Sequence, residues 1–389
     1  MDVLFLAHRA PFPPDRGDRI RSYHVLKHLA ARARVHLVAF VDEAAEAEPA
    51  PELVGLTATC TLVHRRKGHA RALLEALATG RPVSLTAFAD AALTAAISRV
   101  LTIQQIDAVY AFSGQMAQYL PEGGPGVTMD FVDVDSAKFA DLARRARPPL
   151  QWLYRREARL LGAFERDIAE RVDASLFVSR AEAELFRDGG GQGRIEAIEN
   201  GIDARFFNPA GWDAPAGSDI VFTGQMDYAP NIEAVTWFAR AVLPLVRIGH
   251  PAARFLIVGR APTPAVSTLA AEPGVVVTGA VPDTRPWLAG AAVVAAPVHL
   301  ARGVQNKVLE AMAMARPVVA TIDAARGIDH AGTIRIADGA EAFAAAAAAL
   351  LADRVAGDAL GRAARAEVVA RYDWGSRLAA LDRLVGLSS

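Results

Sequence analysis

Short, unbroken apolar runs recur along the chain, and most are followed by a stretch whose apolar residues return every three or four positions. VLFLA at 3–7 is the first. Residues 19–31 then place Ile20, Tyr23, Leu26 and Ala30 at helical spacing, and VHLVAF at 35–40 resumes the strand pattern. IDAVYAF (106–112), GVTMDFV (126–132) and ASLFVS (174–179) continue the series. After Asn200 it restarts with DIVFTG (219–224), a helix through TWFARAVLPLV, then RFLIVG (254–259), VVVTGA (275–280), AAVVAAP (291–297) and RPVVAT (316–321). Apolar runs without polar alternation belong to strands covered on both faces, and so to parallel sheets. Two such series predict an α/β chain of two doubly wound, Rossmann-like domains facing a cleft. The turn-rich IENGID marks the division, giving an N-terminal domain over 1–198 and a C-terminal domain over 199–371. Residues 372–389 read as an amphipathic helix that could pack back on the first domain, and the alanine run 342–349 reads as a helix.

Ligands of open parallel sheets bind outside the carboxyl ends of the strands. Five of the runs end there in glycine or a polar loop: VLFLA in HRAPFPPDRGDR, YAF in SGQ, VFT in GQMDYAPN, LIV in GR, and AAP in VHLARGVQNK. Glycine permits tight turns and close backbone approach, and the following helix N-termini suit phosphate. In GVQNKVLEAMA, Leu309, Met312 and Ala313 share one helical face while Asn306, Lys307 and Glu310 share another. Lys307 and Glu310 are either a solvated pair three residues apart, or a cation for a diphosphate beside a carboxylate for vicinal hydroxyls.

Composition narrows the classes. The chain has 389 residues, is 52% hydrophobic and 22% charged, and carries a net charge of -1, so no global field draws it to nucleic acid. One cysteine, Cys60, excludes an internal disulfide framework and fits a reducing compartment. The N-terminal apolar run is too short for a signal peptide, and no stretch approaches the ~20 apolar residues of a membrane span. The expectation is a cytoplasmic protein, with contact at the inner face of the membrane left open. The nine histidines are scattered, no dinucleotide fingerprint or P-loop occurs, and no metal site is expected. The basic run 143–160 interleaves Trp152, Leu153 and Tyr154 with arginines; it is a solvated helical face by default and an anionic-lipid contact as the sharper alternative.

Taken together, RAPFPPDRGDRIRSYHVLKHLA, DFVDVDS, FVSRAEAELF, ENGID, VFTGQMDYAPNIEAVTWF, VTGAVPDTRPWLAGAAVVAAP and ARGVQNKVLEAMAMARPVVAT resemble the family 4 glycosyltransferases of the GT-B fold. Among these the sequence is most similar to the sugar transferases associated with PEP-CTERM/exosortase exopolysaccharide systems. The resemblance implies a nucleotide-sugar donor in the C-terminal domain, a glycan or lipid-linked acceptor in the N-terminal one, retaining transfer, and no cofactor or metal. Glu310 matches the second glutamate of the family's E-x7-E motif, which holds the ribose, but the first position is Arg302. The loop GQMDYAPN lacks the family's basic residues, which leaves Lys307, Arg302 and Arg260 to meet phosphate charge. Gly17 matches the glycine that approaches the donor phosphate, and Val281 lies in the loop near the base. Gly224 and Asn231 lie in the first of the two strongest motifs, and Gly303, Val304, Gln305 and Asn306 in the second; all six are expected at the donor. Asp130 or Asp133 is expected to end a strand facing the acceptor. DVD at 133–135 is otherwise helix capping, or the metal signature of a different glycosyltransferase fold. The competing reading is a noncatalytic nucleotide-sugar-binding or scaffold subunit.

Overall fold

A computed structural model of the chain describes residues 1–213, 216–299 and 304–387. It contains two compact units, Met1–Asn200 with Arg377–Ser389, and Gly201–Ser376. The division falls two residues beyond the expected one, and the second crossing lies inside the closing helix, Trp374–Val385.

The first unit holds one parallel sheet of β1 (Asp2–Ala7), β2 (Arg34–Val41), β3 (Thr59–His64), β4 (Ala108–Phe112), β5 (Gly126–Val132), β6 (Ala174–Phe177) and β7 (Ile195–Ala197). Their order is β3-β2-β1-β4-β5-β6-β7. Helices cover both faces, so Val3 to Ala7 and Ala108 to Phe112 are buried on either side of the pleat. The order reverses between β1 and β4, where two neighbouring crossovers leave in opposite directions and open a crevice. β3 and β7 are edge strands that the pattern reading did not contain. TCTLVH mixes Thr and Cys with apolar residues because one edge meets solvent, and IEA is too short to show a period. The closing helix returns to this unit: His28 Nε2 lies 2.8 Å from Asp382 Oδ1, and Thr128 Oγ1 donates to the Leu384 carbonyl at 3.0 Å.

The second unit repeats the plan with β8 (Asp219–Thr223), β9 (Arg254–Val258), β10 (Val275–Gly279), β11 (Val293–Ala296), β12 (Val318–Ala320) and β13 (Arg335–Ile336). All pairs are parallel, the order is β10-β9-β8-β11-β12-β13, and the reversal lies between β8 and β11. The helix expected through TWFARAVLPLV starts earlier, as Ala229–Trp237, and continues through one π turn at Phe238–Val242 into Leu243–Gly249. Pro244 has no N–H to continue the regular ladder, and a wide turn absorbs the mismatch.

Candidate functional site

Glycine forms the carboxyl rim of the second sheet. Gly224 follows β8, Gly259 follows β9, and Gly279 closes β10. The backbones touch: the Gly224 N–H donates to Val258 O at 3.0 Å, and a Cβ on Gly259 would lie 1.6 Å from the Gly224 carbonyl oxygen. Only glycine fits Gly259, and the rim is left as bare backbone. Beside it, at the reversal, stands the helix Asn306–Ala313. Its Val308, Leu309, Ala311, Met312 and Ala313 are buried, which turns Asn306, Lys307 and Glu310 the other way.

Lys307 is held from two sides. Its Nζ donates to Asn231 Oδ1 at 2.6 Å and lies 4.2 Å from the centroid of the Phe222 ring on β8. Asn231 is oriented in turn, because its Nδ2 donates to the Gln225 carbonyl at 2.9 Å. Gly224 leaves room for that amide, since a Cβ would come within 2.8 Å of Asn231 Nδ2 and would have to displace it. Burial pushes the Lys307 ammonium down to about 7, against the opposing charge of Glu310. Burial likewise pushes the Glu310 carboxyl up to about 7, with Lys307 pulling the other way. Two further polar atoms at this rim, Asn306 Oδ1 and Thr223 Oγ1, are buried without a hydrogen-bond partner among the described residues. Underpaired charge and orphaned polar atoms beside glycine backbone are what an anionic, hydroxylated ligand would complete.

In the first sheet the rim is made of side chains. His8, Asp42, Arg65, Ser113 and Asp133 are the residues immediately after β1, β2, β3, β4 and β5. Arg9 Nε donates to Asp42 Oδ2 at 2.8 Å, Arg65 Nη2 donates to Asp42 Oδ1 at 2.9 Å, and Arg9 also pairs with Asp18. His8 Nε2 is 3.4 Å from Asp18 Oδ2, and its ring stacks on Phe112 at 5.8 Å. Burial would raise the Asp18 carboxyl, but the His8 hydrogen bond and the Arg9 charge outweigh it and hold it well below the usual range. Behind the rim, Asp130 is 0% exposed and accepts from Arg21 Nε at 2.9 Å and the Tyr110 hydroxyl at 2.6 Å. Arg21 continues to Ile198 O at 2.6 Å and Asn200 Oδ1 at 3.1 Å. A register shift follows Asp130, and Val132 takes φ 71°, a strained value for a β-branched residue. That bulge turns Asp133 outward, where it is exposed.

Residues 217–353 match the family described as glycosyl transferases group 1. The match lies within the second unit. Solved structures with the same two-sheet fold cover nearly the whole chain. Sucrose-phosphate synthase from Thermosynechococcus elongatus aligns at 17% identity over 99% of this chain and 98% of its own, with a TM-score of 0.69. Anabaena HepE in complex with UDP and glucose aligns at 16% over 99% of each chain, TM-score 0.67. WaaG, a glycosyltransferase involved in lipopolysaccharide biosynthesis, aligns at 16% over 99% of this chain and 100% of its own, TM-score 0.66. At these identities the likeness establishes the fold, which is GT-B. No curated protein matches the sequence.

The GT-B rims hold the expected residues unequally. Gly224, Asn231, Lys307 and Glu310 converge at the second reversal, with Gln305 and Asn306 at the helix start. Arg260 follows Gly259, and its Nη2 reaches Gln225 Oε1 at 3.5 Å. Val281 and Val304 pack as partly buried side chains against the core. Arg302 and Gly303 lie outside the described residues. Gly17 opens the helix Gly17–Ala30, and a Cβ there would meet nothing within 4 Å. Asp130 does not face outward: it is sealed in the sheet by Arg21 and Tyr110, and only Asp133 of the two reaches the surface. Asp135 accepts from Gln115 Nε2 at 3.1 Å, and among the described residues no three His, Cys, Asp or Glu side chains converge as metal ligands. The sequence reading passed over His8, Arg9, Asp18, Asp42 and Arg65. The sequence offers one signal for them, a polar or charged residue directly after each strand; Arg65 is hidden because β3 does not show in the apolar pattern.

Proposed function

We propose that this GT-B protein transfers a sugar from a nucleoside-diphosphate sugar, bound at the glycine rim of the second sheet, to a glycan or lipid-linked glycan acceptor taken by the first unit. One observation carries the reading: Lys307, held by Asn231 over Phe222, is a partly buried cation with no carboxylate in contact among the described residues, set beside glycine backbone at the sheet reversal. A diphosphate supplies the missing charge. As the sugar leaves, negative charge grows on that diphosphate, and a fixed ammonium with helix N–H groups stabilises it without reorganising. Glu310, three residues on, would accept from the ribose hydroxyls. Anabaena HepE, whose structure holds UDP and glucose, has this fold and supports the donor class. Retaining transfer, metal independence and a role in exopolysaccharide assembly rest on the sequence resemblance.

A thermal-shift and calorimetric panel of UDP-, GDP-, ADP- and dTDP-sugars tests the donor, because a ligand of the native state raises apparent stability. Stabilisation by one of them, lost in Lys307→Ala, is the expected result; no response to any of them overturns the reading. Turnover of the stabilising donor should persist in EDTA. Binding without hydrolysis or transfer would favour the scaffold reading instead. Strict dependence on Mg2+ or Mn2+, abolished by replacing Asp133 and Asp135, would overturn metal independence.

A further inference from the structure

The helices Asp135–Arg145 and Leu150–Arg171 of the first unit form a pair whose free end has an unusual surface. Its base is fixed. Phe139 and Tyr154 pack with ring centroids 6.0 Å apart, and Gly162 lets the backbones approach, a Cβ there falling 3.5 Å from Ser136 Cβ. Glu157 is buried and accepts from the Val83 and Ser84 N–H groups at 2.8 and 2.7 Å, while Arg156 donates to the Ala76 carbonyl at 2.7 Å. The long helix is thus pinned along one side. At its free end Trp152 is 61% exposed, Leu150 52% and Leu142 40%. Around them Arg144, Arg145, Arg147, Arg155 and Arg159 are exposed.

We propose that this tip is a docking surface for an anionic lipid bilayer. These surface features do not depend on the transferase reading. Trp152, Arg155 and Arg159 recur at helical spacing on one face, as do Leu142 and Arg145 on the partner helix, so apolar and cationic groups point the same way. Of the two acids in 141–159, Glu157 is buried and Asp141 is paired with Arg144. The remaining arginines form a local cationic excess on a chain of net charge -1. A protein partner would offer a shaped pocket for the tryptophan. A convex tip with an aromatic ring, aliphatic side chains and long cationic arms instead fits a diffuse anionic interface, into which such surfaces sink ~5–10 Å. No described helix is long and apolar enough to cross a membrane, so the attachment would be reversible and screened by salt.

The full chain is mixed with vesicles of phosphatidylcholine alone or with phosphatidylglycerol, and cosedimentation is followed as salt rises. Selective pelleting with the anionic vesicles, released by salt, is expected. Arg144→Ser, Arg145→Ser, Arg147→Ser and Arg155→Ser together should lower partitioning roughly a thousandfold. Arg156 is left intact because it anchors the helix. Brominated acyl chains should quench tryptophan fluorescence in the parent and not in Leu150→Ser with Trp152→Ser. Both variants should keep the parent's circular dichroism and melting point; a variant that fails this check is replaced by Arg147→Ser with Arg155→Ser, which should lose about thirtyfold. Equal pelleting with neutral vesicles, no effect of the arginine changes, or release by polyglutamate without any bromine quenching each overturns the proposal, the last pointing to an acidic protein partner.

Discussion

The two sheets share a plan and differ at their rims. In the first sheet each of β1 to β5 is followed by a polar or charged side chain, and the charges answer one another: Arg9 with Asp18 and Asp42, Arg65 with Asp42, Arg21 with Asp130. In the second, β8 to β10 end in glycine, and the charges behind them, Lys307 and Glu310, are buried beyond what they give each other. The first rim pairs its charges, although His8 Nδ1 and Arg21 Nη2 stay buried without a hydrogen-bond partner among the described residues, and it presents mixed donors and acceptors, as a polyhydroxyl compound requires. An underpaired rim gives up stability to await a ligand with opposite charge, as active sites commonly do.

The contrast is broken most directly at Asp130. Asp130→Ala strands the fully buried Arg21 guanidinium and the Tyr110 hydroxyl, and should cost about 3–5 kcal/mol in urea unfolding. Replacing the pair, Asp130→Leu with Arg21→Met, should recover much of it, because no uncompensated charge remains buried. Equal losses in single and double variants would mean that Asp130 acts by something other than pairing.

Lys307→Met should behave in the opposite way. It removes a cation already weakened by burial, so stability should hold or rise. Affinity for a nucleoside diphosphate should fall by about 2 kcal/mol, roughly thirtyfold by calorimetry. Lost stability with unchanged affinity would put Lys307 in the same class as Arg21.

These differences were only partly legible in the sequence. Both parallel sheets showed, because strands covered on two faces are written as uninterrupted apolar residues such as VLFLA and DIVFT. β3, β7 and β13 did not, since edge exposure or brevity erases the pattern. The Lys307 and Glu310 face could be read from helical spacing and the buried residues opposite it. The hold of Asn231 on Lys307 spans 76 residues, and that of Arg21 on Asp130 spans 109, distances at which periodicity carries no information. Asp130 or Asp133 was expected to end a strand facing outward; Asp130 lies inside β5 and Asp133 directly after it, and which of them points outward depends on the bulge before Val132, which has no local sequence mark.

Glu310→Gln sharpens the comparison through pH. The carboxyl's folded value, about 7, lies above its ordinary 4.5, so its stabilising contribution is complete below 4.5 and is lost as pH rises through 7. The amide removes that loss. The variant should match the parent near pH 5 and exceed it by about 1–2 kcal/mol near pH 8, while binding nucleotide less well. Lys307 is depressed from 10.5 to about 7, and its contribution is lost as pH falls through that value. The ligand-free parent should therefore have a dip in stability near pH 7, filled by a diphosphate; a flat profile in melting experiments would contradict the buried-pair reading.

The smallest effects separate two glycines. A Cβ at Gly224 would lie 2.8 Å from Asn231 Nδ2 and 3.4 Å from Phe222 Cε1, so Gly224→Ala must push the Asn231 amide aside. Lys307 then loses its acceptor, and nucleoside-diphosphate affinity should drop by about 1 kcal/mol with the fold intact. A Cβ at Gly17 meets nothing, so Gly17→Ala should leave melting unchanged and lower turnover only if a donor phosphate passes close to that helix start. The Gly224 effect can be traced with a double-mutant cycle. If the added methyl acts through Asn231, then Asn231→Ala and Gly224→Ala together should weaken binding no more than Asn231→Ala alone. Additive losses would show that the methyl group blocks the ligand itself, and that the backbone at Gly224 is part of the surface the donor touches.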